Sequence, residues 1–95
     1  MSILDVLAIW VASIDQLVST AGGSVTFRRS PGDRLNDSAH VVIARGDQEA
    51  ELILWESGEA EYARVDGDAV DQQHFDDIVV HGLGSVLGRL LEVLA

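Results

Sequence analysis

The middle of the chain is a run of short β-type segments joined by tight turns, and it lies between two segments with helical periodicity. The predicted strands are Ser24–Arg29, His40–Arg45, Glu49–Glu56, Glu59–Val65 and Val70–Val80. Because short connections usually join neighbouring antiparallel strands, this order predicts an α+β domain. We expect an antiparallel β-meander of four to five strands packed with an N-terminal and a C-terminal helix. Ninety-five residues are enough for one modest core, so residues 1–95 form a single domain.

The two terminal segments have the spacing of amphipathic helices. Ser2 to Ala21 has apolar residues on one predicted stripe: Ile3, Leu7, Trp10, Ile14, Leu17 and Val18. Ser2 and Asp5 form a predicted capping box, and Gly22-Gly23 ends the helix. The last segment has its stripe at Leu83, Val86, Leu87, Leu90, Leu91 and Leu94. Gly84 and Gly88 weaken that helix by about 1 kcal/mol each relative to alanine, so it depends on docking.

Acidic residues are concentrated in the strand region. Eleven of the sixteen lie between Asp47 and Asp77, where Arg64 is the only base. A predicted hairpin, Trp55 to Tyr62, has carboxylates on both sides of its turn, and like charges that face each other across strands destabilise a pair. A net charge of −10 repels nucleic acid and attracts a basic partner in a salt-dependent way. The acidic residues are therefore expected to bind a basic protein partner.

The hairpin register decides which of its side chains share a face. A two-residue turn at Ser57-Gly58 predicts that Glu56 faces Glu59, Leu54 faces Glu61 and Glu51 faces Arg64. The opposite face would then hold Trp55, Ile53 and Tyr62.

Two arrangements of this hairpin stay open. In one, helices or loops cover both faces of the sheet and Trp55 belongs to the core. In the other, Trp55 or Tyr62 is exposed beside the acids as a binding anchor, since aromatic residues dominate interface hot spots. The candidate protein-binding residues are Trp55, Glu56, Glu59, Glu61 and Tyr62.

Patterns for catalysis and for cofactors are weak. The glycines of Ile78–Gly88 follow a predicted strand, but the third comes one position late for a dinucleotide fingerprint and no returning strand follows. His40, His74 and His81 do not have the spacing of zinc ligands. No nucleophile has a recognisable base, so we expect no cofactor, no metal and no enzymatic activity.

Localisation is predicted from what surrounds the apolar segments. The chain has no cysteine, so it has no disulfide framework. The longest apolar run near the start, residues 6–12, is too short to span a bilayer and no basic segment precedes it. We therefore expect a cytoplasmic protein that binds neither membrane nor nucleic acid.

Several of these features together resemble the TriTu-type immunity proteins. The resemblance comprises an early helix with a central Trp10, then Trp-x-Ser-Gly-Glu at residues 55–59. Asp66 in a turn, the pair His74-Phe75 and a leucine-rich terminal helix follow. Proteins of this type are small cytosolic partners of ADP-ribosyltransferase toxins that competing bacteria deliver.

The resemblance implies a function. It implies a non-enzymatic inhibitor that binds the cognate toxin one-to-one as a monomer and occludes its NAD-binding or target-binding cleft. A toxin that modifies ribosomal RNA is expected to be basic where it meets that target, so the acidic hairpin would mimic phosphate. The alternative is a small acidic secretion chaperone or adaptor, dimeric through the N-terminal helix, where Ile9, Val11 and Ala12 add apolar area.

Overall fold

An N-terminal helix, five strands and C-terminal helical segments follow one another along the chain. The computed structural model describes residues 1–32 and 35–95; residues 33 and 34, between the first two predicted strands, lie outside the described residues. The elements are helix α1 (Ile3–Thr20), strands β1 (Ser24–Arg29), β2 (Ser38–Arg45), β3 (Gln48–Trp55), β4 (Ala60–Asp66) and β5 (Ala69–Phe75), and helices α2 (Ile78–His81) and α3 (Leu83–Leu91), with a final 3₁₀ turn at Glu92–Leu94. The α+β prediction is confirmed.

The five strands form one antiparallel sheet in the order β1-β2-β3-β4-β5. Each strand pairs with its sequence neighbour, so the sheet is a simple meander. Burial alternates along β2 and β3, which means that one face is covered and the other is open. The helices contact the sheet on the covered face only, and this excludes the arrangement in which both faces are covered.

The core lies between the covered face and the helices. Among the described residues, every buried side chain of the core is hydrophobic, and the hydroxyl of Tyr62 is the polar group that this set carries. The sheet contributes Val41, Ile43, Leu52 and Leu54, and α3 contributes Leu90. Docking of α3 onto this layer explains how a helix with two exposed glycines remains ordered.

Helix α1 buries a stripe that differs from the predicted one. The buried residues are Leu4, Leu7, Val11, Ile14 and Val18, at alternating spacings of three and four. Leu17 is exposed, so its assignment to the main stripe was wrong. Trp10 is half-buried and packs against the core. Two adjacent apolar stripes lie on this helix, and periodicity alone does not say which one faces the sheet. The predicted capping box of Ser2 and Asp5 is present.

The length and composition of α1 would also allow it to cross a membrane. In this fold, however, five of its side chains lie against the sheet, which is the arrangement of a core helix in a globular domain.

The predicted fifth strand was too long. Strand β5 ends at Phe75, and residues 78–81 form the short helix α2 instead of continuing the strand. The carboxylate of Asp77 causes the change, because it accepts a hydrogen bond from the amide of Val79 at 3.1 Å and caps the helix. Gly82 then takes a positive φ of 95° between α2 and α3.

We predict that Gly23→Ala lowers the free energy of unfolding by about 1–3 kcal/mol, because the core has no room for the added methyl group. A Cβ at Gly23 would lie 2.9 Å from the carbonyl oxygen of Ala44 and 3.0 Å from Leu94. The matched control is Gly88→Ala in α3, where a Cβ meets nothing within 4 Å; it should raise stability by about 0.5–1 kcal/mol. Urea unfolding measures both, and equal stability of the two variants would contradict this packing.

Candidate functional site

Four of the five described arginines support the helix-covered side of the molecule. Arg29 pairs with Asp5 of α1 at 2.8 Å, and Arg64 of β4 pairs with Glu92 at 3.1 Å. The guanidinium of Arg29, followed by the amide of Ser2, lowers the pKa of the Asp5 carboxyl.

The other two arginines of this group contact the C-terminal segment or belong to it. Arg45 donates to the carbonyl oxygen of Leu94. Arg89 of α3 donates to Gln73 at 2.8 Å and lies 3.7 Å from Asp71 of β5. Most of the described positive charge is therefore engaged in holding the helices to the sheet.

The open face has the opposite character around β3 and β4. Glu49 and Glu51 of β3 and Glu61 of β4 project from it, together with the half-buried Ile53 and Trp55. An arginine of this face lies on the edge strand β1, and the ring of His40 on β2 contacts Glu51 at 3.0 Å. Arg28 of β1 faces His40 of β2 across the ladder, and these two side chains, with Thr26 and Val42, line a shallow depression. The centre of the open face is thus acidic and partly apolar.

The turn between β3 and β4 has three residues, not two. The amide of Gly58 donates to the carbonyl of Trp55 at 2.9 Å, and the amide of Trp55 donates to the carbonyl of Glu59 at 2.9 Å. Gly58 has a φ of 100°, as expected for a type I turn followed by a glycine bulge. The predicted pairing of Glu56 with Glu59 was therefore wrong by one residue.

The corrected register moves every predicted partner. Leu54 faces Ala60, Ile53 faces Glu61, and Ala50 faces Arg64. Tyr62 faces Leu52 and lies in the core at 2% exposure, with the guanidinium of Arg89 4.2 Å from its ring centre. The prediction that placed Tyr62 beside Trp55 on one face was wrong, because a one-residue shift moves a side chain to the other face of a strand.

The remaining candidate residues lie close together at this end of the sheet. Glu56 and Glu59 are exposed, and neither has an ion-pair partner within residues 1–32 and 35–95. Trp55 is half-buried, and its backbone amide bonds to the carbonyl of Glu59. Glu61 differs, because it pairs with His74 of β5. We call Trp55, Glu56 and Glu59, with the intervening turn residues, the turn surface.

Neighbouring segments hold the turn surface on both sides. The side chain of Asn36 donates to the hydroxyl of Ser57 at 3.2 Å and accepts from the Ser57 amide at 3.1 Å. The amide of Glu56 donates to the carbonyl of Asp37 at 2.8 Å. On the other side, the amide of Ile78 donates to the carbonyl of Gly58 at 2.8 Å. The turn is therefore a fixed element and not a free hairpin tip.

These supporting residues were missed from the sequence. Asn36 and Ile78 lie about twenty residues from the turn in the chain, and no local pattern announces such long-range contacts. The glycine at position 58 indicated the backbone conformation of the turn, since a glycine in a turn often adopts a positive φ.

The histidines and the glycine-rich segment have other surroundings than a metal or nucleotide site would require in the described part of the chain. Among the described residues, no group of three or more His, Asp or Glu side chains could hold a metal ion. The strand that the glycine-rich segment needs for a pyrophosphate loop is replaced by α2. The ring of His81, at the end of α2, instead packs against the ring of Phe75, with the ring centres 5.5 Å apart.

Comparison of the chain with protein-family models, with curated proteins and with solved structures gave no match.

His74 provides a pH-dependent contact beside the turn surface. Its ring lies 2.5 Å from Glu61 and 3.1 Å from Asp76. The hydrogen bond with Glu61 raises the pKa of His74 above its ordinary value of 6.5; desolvation opposes this rise and Asp76 adds to it. Because the folded state favours the protonated ring, the contact stabilises the fold fully below pH 6.5. That contribution is lost as the pH rises through the folded-state pKa.

We predict that Glu61→Gln lowers the pKa of His74 towards 6.5, because the largest cause of the rise is removed. An NMR titration of the His74 ring protons measures this directly. Glu49→Gln is the control, since it removes a carboxylate from the same face that makes no hydrogen bond to His74. A His74 pKa that is the same in both variants would contradict the assigned pairing.

Proposed function

We propose that this protein is an immunity protein that binds and neutralises a cognate ADP-ribosyltransferase toxin without any catalysis of its own. One observation carries the proposal: the fixed turn surface presents the carboxylates of Glu56 and Glu59 without partners among the described residues, beside the half-buried Trp55. The TriTu-like motif Trp-x-Ser-Gly-Glu coincides with this surface, at residues 55–59.

The physical basis of the inhibition is charge and shape. A net charge of −10 attracts a toxin that is basic at its interface, and this attraction raises the association rate. The fixed turn then enters the cleft with little loss of conformational entropy, because its neighbours already order it. Its carboxylates occupy positions that phosphate groups of NAD or of a nucleic acid target would take. The protein acts in the cytoplasm, as one monomer on one toxin molecule.

A different observation favours a second candidate, a small dimeric secretion chaperone or adaptor. Helix α1 exposes Val6, Ile9 and Leu17, at 41%, 56% and 56%, on the side away from its buried stripe. Val11, which the sequence placed on such a dimer face, is buried and does not contribute. Ile9 and Leu17 would meet a second copy or an unfolded client segment. Light scattering separates the candidates, since an obligate dimer favours the chaperone.

The turn surface yields a direct test of the immunity function. We predict that Glu56→Lys combined with Glu59→Lys lowers the rate of association with the cognate toxin domain several-fold. We expect a neighbouring gene to encode that domain. The salt dependence of the association rate should also become weaker in the double variant, since fewer charges steer the encounter. Surface plasmon resonance at two salt concentrations measures both effects.

The matched control is the double variant Asp66→Lys and Asp68→Lys. These exposed residues lie in the β4–β5 turn, at the opposite end of the sheet from the β3–β4 turn. Each reversal adds two charges, so both double variants change the net charge from −10 to −6. The same loss of association rate in both would assign the effect to net charge and remove the special role of the turn surface.

A further inference from the structure

Exposed apolar side chains lie on both sides of the turn surface. Leu35 is fully exposed, at 108%, and Val79 and Val80 of α2 are 67% and 78% exposed. Isolated surface apolar residues need no explanation, but three large ones beside a single turn are unusual for a 95-residue domain.

Hydrogen bonds place these residues around the turn. Leu35 immediately precedes Asn36, whose side chain holds Ser57 through two hydrogen bonds. On the other side, Val79 follows Ile78, whose amide bonds to Gly58. The two apolar positions therefore flank the turn, and the same contacts that fix the turn also fix the backbone beside them.

Carboxylates lie among these apolar residues. Glu56 and Glu59 lie between its two sides, and Asp76, with a side chain that is 97% exposed, lies just before α2. The structure thus combines apolar side chains with a rim of carboxylates, which is the composition of a protein-binding patch.

We propose that Leu35, Val79 and Val80 form, with the turn surface, one docking site for a folded protein with an apolar depression bordered by arginine or lysine. This assignment rests on the proposed function and names the contact residues that the toxin would meet. Apolar contact supplies the lifetime of the complex, whereas the carboxylates supply orientation and association rate.

The charges favour this occupant over the others. A second copy related by a twofold axis would bring this patch, with the carboxylates of Glu56, Glu59 and Asp76, against an identical acidic patch, where like charges repel. Nucleic acid and anionic membranes carry the same sign as this rim and are repelled for the same reason. A protein surface with basic residues around an apolar centre satisfies both features of the site.

The test uses the triple variant Leu35→Ser, Val79→Ser and Val80→Ser with the proposed toxin domain, studied by calorimetry and surface plasmon resonance. We expect affinity to fall at least tenfold, mainly through faster dissociation, because the charge of the site is unchanged. Since the three side chains are exposed, the melting temperature should change little, and circular dichroism checks that the variant folds.

The matched control replaces Val6, Ile9 and Leu17 of α1 by serine, which removes three exposed apolar residues from another surface. This control should bind as the unchanged chain does. If the unchanged chain binds and the triple variant at Leu35, Val79 and Val80 binds equally well, the docking site is overturned while the proposed function stands. If the unchanged chain does not bind the toxin at all, both are overturned.

Should the triple variant fail to fold, the single variant Val80→Ser, at the most exposed valine of α2, replaces it. Its dissociation rate should rise measurably above that of the matched single variant Ile9→Ser. Equal rates would again overturn the docking site.

Discussion

The register of the β3–β4 hairpin is the constraint on which the other features depend. The three-residue turn that ends at Gly58 aligns Leu52 with Tyr62 and Leu54 with Ala60, and all four side chains are buried. A shift of one residue would turn these side chains to solvent and bring the glutamates under the helices. Burial of an unpaired carboxylate is far less favourable than burial of a leucine, so the core itself selects the register. The same alignment leaves Trp55 and the acids on the open face.

Charge separation follows from this alignment. Strand positions on the covered face carry arginines at the rim of the core, where they pair with helix carboxylates or with the end of the chain. Exposed pairs of this kind contribute little stability each, roughly 0–1 kcal/mol. Their larger effect concerns the surface that remains. With most described bases engaged on one side, Glu56 and Glu59 have no ion-pair partner among the described residues, on a turn that Asn36 and Ile78 hold in place.

The sequence predicted more of the fold than of the site. Periodicity and turn residues identified both helical ends and the meander, because these signals are local. The buried stripe of α1 was misplaced, since Leu17 and Val11 are equally apolar and only the sheet decides between them. The apolar residues Ile78–Val80 suggested that β5 continues to residue 80. Asp77 instead caps a helix there, through its hydrogen bond with the amide of Val79. The clustering of acidic residues in the sequence identified the acidic turn. The residues that hold this turn in place are distant in the chain, so local patterns did not predict them.

The two tryptophans offer the most direct test of the account, because they lie on different surfaces. Trp55 belongs to the turn surface, whereas Trp10 lies on α1. Each indole N–H gives its own NMR signal, and titration of the labelled protein with the proposed toxin partner reports which surface is occupied. The account predicts a large shift of the Trp55 signal and little change at Trp10. A shift at Trp10 with Trp55 unchanged would contradict it and would place the partner on α1.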